Sequence, residues 1–476
     1  MRCLALADML ARNGWRIGFA VNAETSRTLP VLKETSHQTI ELPANDDLGE
    51  PTAMAEHWPL GCNLLVVDHY DKDAAFERST RPWAQQILAI DDLADRPHDC
   101  DILLDQTPGR AAEDYRPLVP AGCRLLLGST YALLRPEFSE LRRRTAATAE
   151  NDRMRRLFVS LGATDPDDAT TTILDGIAES GLDVEVDVVL GAGAPHLDSV
   201  RRKAAQLKAA TRVHADTRNV AQLMTDADLA IGAAGTSSWE RCCLGLPTLM
   251  VILATNQQAT ANALSAAGAV RPVGREGAIK AGEIAAALVE LSHDAEGRRA
   301  MASAASSLSD GLGAARVVME TRTDIVDREG RRIALRPATM ADSDIMLQWQ
   351  RDPRTRSHFR NPAIPGSGEH FSWLRKKLGD RNCILNIIER DNNPCGVLRF
   401  DRSTENDRAE SEVSILIAPD LHGRGIARAA LALGRILLAN ETLWAYVQDD
   451  NAASVALFQG AGFRFEDGAY WARAVK

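Results

Sequence analysis

Across the first 320 residues, apolar runs of four to six residues alternate with longer amphipathic stretches. That alternation predicts strand–helix–strand units around parallel sheets. Met1 to Arg12 reads as an amphipathic helix and WRIGFAV (15–21) as a strand. NLLVVDHY (63–70), QILAIDDL (86–93) and DILLDQT (101–107) read as apolar strands ending in acids. Residues 139–156, SELRRRTAATAENDRMRR, lose apolar periodicity and read as a connection. A second series then opens with RLFVSLGATDPDDATTTILDGI (156–177), followed by EVDVVLGAG and TRVHAD. It culminates in LAIGAAGTSSWERCCLGLPTLMVILATNQQ (229–258): strand, Gly-rich turn, helix, short turn, buried strand. Helical segments from Ala281 to Met319 close the series. After a polar stretch (320–332) the pattern changes. IALRPATMADSDIMLQWQRD reads as strand then helix, LNIIERDNNPCGVLRFD as a hairpin, and AESEVSILIAPDLHGRGIARAALALGRILL as strand, turn and long helix.

Composition narrows this reading. At 476 residues the chain needs two to four cores. A net charge of −10 speaks against nucleic acid as the main partner. No apolar run is long enough to cross a membrane, and Asp8 and Arg12 interrupt any signal-like stretch. Eight cysteines without C-x-x-C spacing suit reduced thiols and a cytoplasmic protein, with Cys242 and Cys243 as core filling. The sequence offers no metal-ligand cluster.

The candidate chemistry lies at strand ends. Gly232 and Gly235 allow a tight turn or close ligand approach. Thr236, Ser237 and Ser238 supply hydroxyls at a helix start, and Glu240 completes a capping-box-like spacing. Such a helix start favours an anion. Glu240 could accept from two ribose hydroxyls. Asn256 and Gln257, after a buried strand, are candidates for phosphate, sugar or water positioning, with Asn256 the catalytic candidate. Thr164 and Asp165 either face the same crevice or cap a helix.

GAAGTSSWERCCLGLPTLMVILATNQ, VVDHY and AIDDLADRPHDCDILLDQT resemble the hydrolase family that removes UDP from a diacetamido-trideoxy-altrose sugar on the way to pseudaminic acid. More loosely they are similar to GT-B glycosyltransferases. The resemblance implies a UDP site at Gly235, Thr236, Ser237, Ser238 and Glu240. It also implies that Tyr70 lies near the sugar and that Asp68, Asp91 and Asp92 shape the crevice. In that family a helix beginning MRCLALA follows a strand ending Gly-x-Gly-His-Val, whose histidine serves as base. Here MRCLALA stands at Met1. The expectation is a first lobe without its first strand, and slow hydrolysis by the chain as given, with Asp68 or His69 the alternative base.

His422-Gly423-Arg424-Gly425-Ile426-Ala427 resembles the acetyl-CoA pyrophosphate loop of GNAT acetyltransferases, and DDNAASVALFQGAGFRF resembles their closing motif. The resemblance implies that Asn451 and Ser454 lie near pantetheine, and that Arg424 and Arg428 meet phosphate. Phe458 stands where many members carry a tyrosine that protonates the leaving thiolate. Glu412 is then a candidate base and Tyr446 a substitute acid. His370 and Trp373 match the acceptor side as well as they match plain helix packing. The expected architecture is α/β: a Rossmann-like lobe over 1–145, a UDP-binding Rossmann-like lobe over 150–320, and a GNAT α+β domain over 331–476. The implied partners are acetyl-CoA and a UDP-linked amino-sugar, with neither nucleic acid nor membrane. A glycosyltransferase, or a UDP-sugar-binding module without turnover, are alternative readings of the first two lobes.

Overall fold

The structure is a computed structural model that describes residues 1–43, 49–143, 153–275, 277–359, 361, 363–403 and 409–473. The centre of the expected 139–155 connection lies outside the described residues. The chain forms two compact units, residues 1–314 and 315–476.

The first unit holds two α/β lobes. In the first lobe, β1 (Gly18–Val21) and β2 (Gln38–Glu41) form a parallel pair. β3 (Leu65–Val67), β4 (Ile87–Ile90), β5 (Ile102–Asp105) and β6 (Arg124–Leu127) form a parallel sheet in that order. Among the described residues no ladder joins the pair to the sheet. The helix Arg2–Arg12 buries Leu4, Leu6 and Leu10 at its expected apolar positions.

The second lobe is a six-stranded parallel sheet. Its strands are β7 (Arg156–Ser160), β8 (Glu185–Leu190), β9 (Thr211–Ala215), β10 (Leu229–Ala233), β11 (Thr248–Ile252) and β12 (Val270–Arg275). The spatial order β12-β11-β10-β7-β8-β9 is that of a Rossmann sheet, with the chain reversing direction across the sheet between β7 and β10. Every residue of β10 and β11 is buried, as continuous apolar runs require when helices cover both faces. Arg142 follows the helix Pro136–Leu141 and holds it against the second lobe. It is buried and donates to the carbonyls of Cys243 (2.7 Å), Ser309 (3.0 Å) and Ser306 (2.8 Å).

The second unit is a seven-stranded sheet: β13 (Ile333–Pro337), β14 (Cys383–Arg390), β15 (Asn393–Arg402), β16 (Glu410–Ile417), β17 (Thr442–Ala445), β18 (Arg464–Glu466) and β19 (Ala469–Ala472). Its order is β13-β14-β15-β16-β17-β19-β18. Asp391 and Asn392 both adopt left-handed backbone between β14 and β15, which suits a two-residue hairpin turn. All neighbours are antiparallel except β16 and β17. Those two pair only from Glu410↔Thr442 to Glu412↔Trp444. β16 continues to Ile417 against β15 alone, so among the described residues no strand pairs with its other edge from Val413 onward.

Candidate functional sites

The reversal point of the second lobe brings two turns side by side, because Val159 and Ser160 pair with Ile231 and Gly232. After β7, Gly162 takes φ 116°. Asp165 is buried, and its carboxylate accepts from the amides of Ala169 (3.1 Å) and Thr170 (2.9 Å). Its role in the structure is the cap, while Thr164 is exposed.

After β10, the turn differs from the expected capping box. Thr236 has helical backbone, and no side chain caps the helix Ser237–Leu244. Ser238 is turned inward. Its hydroxyl donates to the Ala233 carbonyl (3.3 Å) and its amide to Gly235 (2.9 Å). The reason is Arg241, whose buried guanidinium takes both serine hydroxyls. Among the described residues the amides of Gly235, Thr236 and Ser237 donate to nothing, and the space a side chain at Gly235 would fill is open. Three such amides at a helix start make an anion seat. Glu240 is half-buried beside it. Burial pushes its carboxyl up, opposed by Arg135 and Arg241.

Across the same unit, Tyr70 and Asn256 meet. The Asn256 amide nitrogen donates to Tyr70 Oη (3.5 Å), and Tyr70 Oη donates to Asp92 Oδ2 (3.3 Å). The first lobe's strand ends therefore face the second lobe's TNQ turn. Gln257 instead turns its carbonyl oxygen onto the Leu253 amide (2.9 Å). Asp68 is held by a two-bond pair with Arg2 (3.0 and 2.6 Å) and by the Cys3 thiol (3.0 Å). Burial would raise its carboxyl, but Arg2 overcomes this and holds it below the usual range, which makes Asp68 a weak base. Asp92 goes the other way. Burial pushes it up against the pull of Arg2, and its Oδ1 is buried without a partner.

Asp91 is corrected outright. It does not shape the crevice but is buried, bonded to Arg96 (2.8 Å) and Tyr115 Oη (2.9 Å). Arg2 was not singled out from sequence. Its signal was a cation at the very start of an amphipathic helix, in a lobe whose strands end in acids.

In the second unit, Gly423 and Gly425 take φ 79° and 86° immediately before the helix Ile426–Leu437. Among the described residues the amides of Gly423 through Arg428, Ile426 and Ala427 included, have no hydrogen-bond acceptor. This run of amides fits a pyrophosphate. The loop is steadied from outside. The Arg328 amide donates to the Arg424 carbonyl (2.8 Å) and the Arg328 guanidinium to the Gly423 carbonyl (2.9 Å). The Arg424 side chain, expected to meet phosphate, pairs with Glu329 (2.6 Å). Arg428 remains exposed. His422 reaches back to the Ile417 carbonyl (3.1 Å).

Asn451 spends its side-chain oxygen capping its own helix through the Ser454 amide (3.0 Å). Glu412 sits opposite Asp401 and Trp444, at the last paired rung before β16 and β17 separate. Tyr446 is exposed one residue beyond β17 rather than on it. Phe458 is buried against Phe463 and Tyr470, with ring centroids at 5.0 and 6.2 Å. His370 is buried in its helix with Nε2 unpartnered, and Trp373 lies 5.5 Å from it under the Arg399 guanidinium.

Comparison with known proteins agrees with this division. Residues 332–464 match the Acetyltransferase (GNAT) domain family, and residues 157–317 match the Glycosyltransferase family 28 C-terminal domain. The chain is 28% identical over 206 residues to the UDP-2,4-diacetamido-2,4,6-trideoxy-beta-L-altropyranose hydrolase of Campylobacter jejuni, covering 43% of this chain and 72% of that protein. It is 32% identical over 162 residues to the spore coat polysaccharide biosynthesis protein SpsG of Bacillus subtilis, covering 33% of this chain and 46% of that one. A longer match, 21% over 417 residues, covers 84% of this chain and 81% of the uncharacterized protein MJ1062 of Methanocaldococcus jannaschii. The open β16 edge and the unpartnered amides of Gly423–Arg428 suit acetyl-CoA, the co-substrate of GNAT enzymes. The chain thus joins a GNAT acetyltransferase domain to an α/β region homologous to the diacetamido-trideoxy-altropyranose hydrolase and, in its second lobe, to the C-terminal domain of glycosyltransferase family 28.

Proposed function

We propose that the chain is a bifunctional nucleotide-sugar enzyme that acts on a UDP-linked amino-trideoxy sugar. The GNAT domain acetylates the sugar's free amine, and the first unit binds the diacetamido product and releases UDP by hydrolysis. The observation that supports this best is the convergence in the first unit of three unpartnered amides, a desolvated Glu240, and the Asp92–Tyr70–Asn256 chain. The first two suit a diphosphate and a ribose, and the third suits a polar sugar.

In acetyl transfer, pantetheine lies along the open edge of β16 as an added strand would. The amine attacks the thioester carbonyl, a β16 amide between Ile415 and Ile417 steadies the oxyanion, and the thiolate leaves. Glu412, at the mouth of the split, takes the amine's proton directly or through water. Phe458 has no hydroxyl to give. A thiol pKa of ~8.5 makes the leaving group tolerant of a water or of Tyr446 as proton donor.

In hydrolysis, water attacks the anomeric carbon as its bond to the diphosphate oxygen breaks. The amides of Gly235–Ser237 meet the departing charge, and Asn256 with Tyr70 positions sugar and water. The test is to incubate the protein with acetyl-CoA and candidate UDP-amino-sugars and read products by mass spectrometry. A mass gain of one acetyl group together with free UDP supports both halves. Transfer of the sugar to anything but water would make the first unit a glycosyltransferase. Binding without turnover would make it a carrier module.

A narrower expectation concerns Glu240. Glu240→Ala weakens UDP binding by about 1–3 kcal/mol, the range for a charge-assisted hydrogen bond, and leaves acetyl-CoA affinity unchanged. Superimposable UDP titrations of variant and parent would remove Glu240 from the site.

A further inference from the structure

Arg241 lies directly beneath the Gly-rich turn, 1% exposed, yet among the described residues it forms no ion pair with a carboxylate. Its Nη2 donates to the Ala233 carbonyl (2.6 Å) and to Ser238 Oγ (3.1 Å), its Nη1 donates to Ser237 Oγ (3.0 Å), and its Nε is buried without a partner. The sequence makes room for it. A Cβ at Gly232 would stand 2.5 Å from Nη1 and 2.7 Å from Cζ, so Gly232 is required by the guanidinium and not by a left-handed turn. A cation taken out of water without an ion-pair partner is costly, and burial lowers its pKa to about 10 against the opposing pull of the neighbouring Glu240. Such a group is retained where something else meets its charge.

We propose that Arg241 is a positioning residue for the nucleotide site: it fixes Ser237 as an outward-pointing hydrogen-bond donor to a phosphate-class anion seated on the Gly235–Ser237 amides. This rests on the reading that the turn receives a nucleoside diphosphate. A guanidinium only donates, so both serine hydroxyls must accept from it, and each then has one proton left to place. Ser238 places its proton on the Ala233 carbonyl. Ser237 is half-exposed and finds no acceptor for its proton among the described residues, next to three amides in the same position. Four donors, three amides and one hydroxyl, then converge on one place with a positive charge behind them. Without the guanidinium, the Ser237 hydroxyl is free to rotate and donate inward.

The test is calorimetry on the full chain with UDP and with uridine. The parent binds UDP more tightly than uridine; equal affinities would mean that the turn is no diphosphate site, a failure of the underlying reading. Given that preference, Arg241→Gln and Ser237→Ala each lower UDP affinity about 10- to 100-fold and leave uridine within about twofold, as loss of one charge-assisted contact requires. The double variant is no weaker than Arg241→Gln alone, since the Ser237 hydrogen bond is already lost without the guanidinium. Arg241→Lys, which keeps the charge but cannot hold both serines, falls between. If Arg241→Gln does not fold, Arg241→Lys with and without Ser237→Ala carries the same comparison. Equal losses for UDP and uridine, full additivity, or unchanged UDP affinity would each overturn the proposal.

Discussion

A Gly425→Glu chain binds UDP as the parent does and loses acetyl-CoA affinity by more than about 100-fold. Two effects add. Gly425 sits at φ 86°, where an L-residue costs roughly 1–2 kcal/mol, and a Cβ there would come 2.9 Å from Arg328 Cγ on the segment that steadies the loop. The new carboxylate also stands among amides that otherwise point at a pyrophosphate, each worth about 1.5–3 kcal/mol to a charged acceptor. Gly425→Ala separates the two: it keeps the backbone strain without the charge and loses only about tenfold. Calorimetry with acetyl-CoA decides this, and an unchanged melting transition of the second unit reports that it is folded. Unchanged acetyl-CoA affinity in Gly425→Glu would remove the pyrophosphate assignment.

The second large effect is on stability. At the closed end of the β16–β17 split, Arg402 at the end of β15 donates to Glu441 through Nε (2.9 Å) and Nη2 (2.7 Å). Glu441 also accepts from Ser411 Oγ on β16, and all three residues are buried. Glu441→Ala strands the Arg402 cation and costs about 3–5 kcal/mol, lowering the melting temperature of the acetyltransferase unit by roughly 6–20 °C. Arg402→Met with Glu441→Leu removes both charges and recovers most of that loss. Differential scanning calorimetry of the full chain reads both variants. Equal destabilisation by the single and double changes would show that packing, and not the ion pair, holds the base of the split.

Long apolar runs made most of the fold legible. β7, β10 and β11 stand where RLFVS, LAI and TLMVIL predict them, because strands buried on both faces must be apolar throughout, although β10 runs on through Gly232 and Ala233, where a turn was expected. The hairpin at Asp391-Asn392 was legible because few residues other than glycine, asparagine and aspartate accept left-handed backbone. Of the strands that were not marked, β2 (QTIE), β6 (RLLL), β12 (VRPVGR) and β18 (RFE) lie at sheet edges, where one side meets solvent and polar residues cost little, while β19 (AYWA) was missed although it lies between β17 and β18.

Residue types and spacing by themselves determined where glycine-rich turns meet helix starts, hence both anion seats, Gly235–Ser237 and Gly423–Arg428. Backbone amides at such turns are exposed by local geometry alone. Side-chain roles were decided only by tertiary structure, because a polar side chain's partner is whatever the fold brings within about 3 Å. Glu329 engages the Arg424 guanidinium, and Arg2 neutralises Asp68. Burial carries Asp91 into the core, while Asp92, its neighbour in sequence, is left beside Tyr70. Neighbours in extended chain point to opposite sides, so DD, just past the end of β4, told of two acids but not which one would meet Tyr70. The serines at the helix start were likewise engaged by Arg241, three and four positions later on the helix, whose guanidinium meets both hydroxyls with Ser238 buried and Ser237 half-exposed.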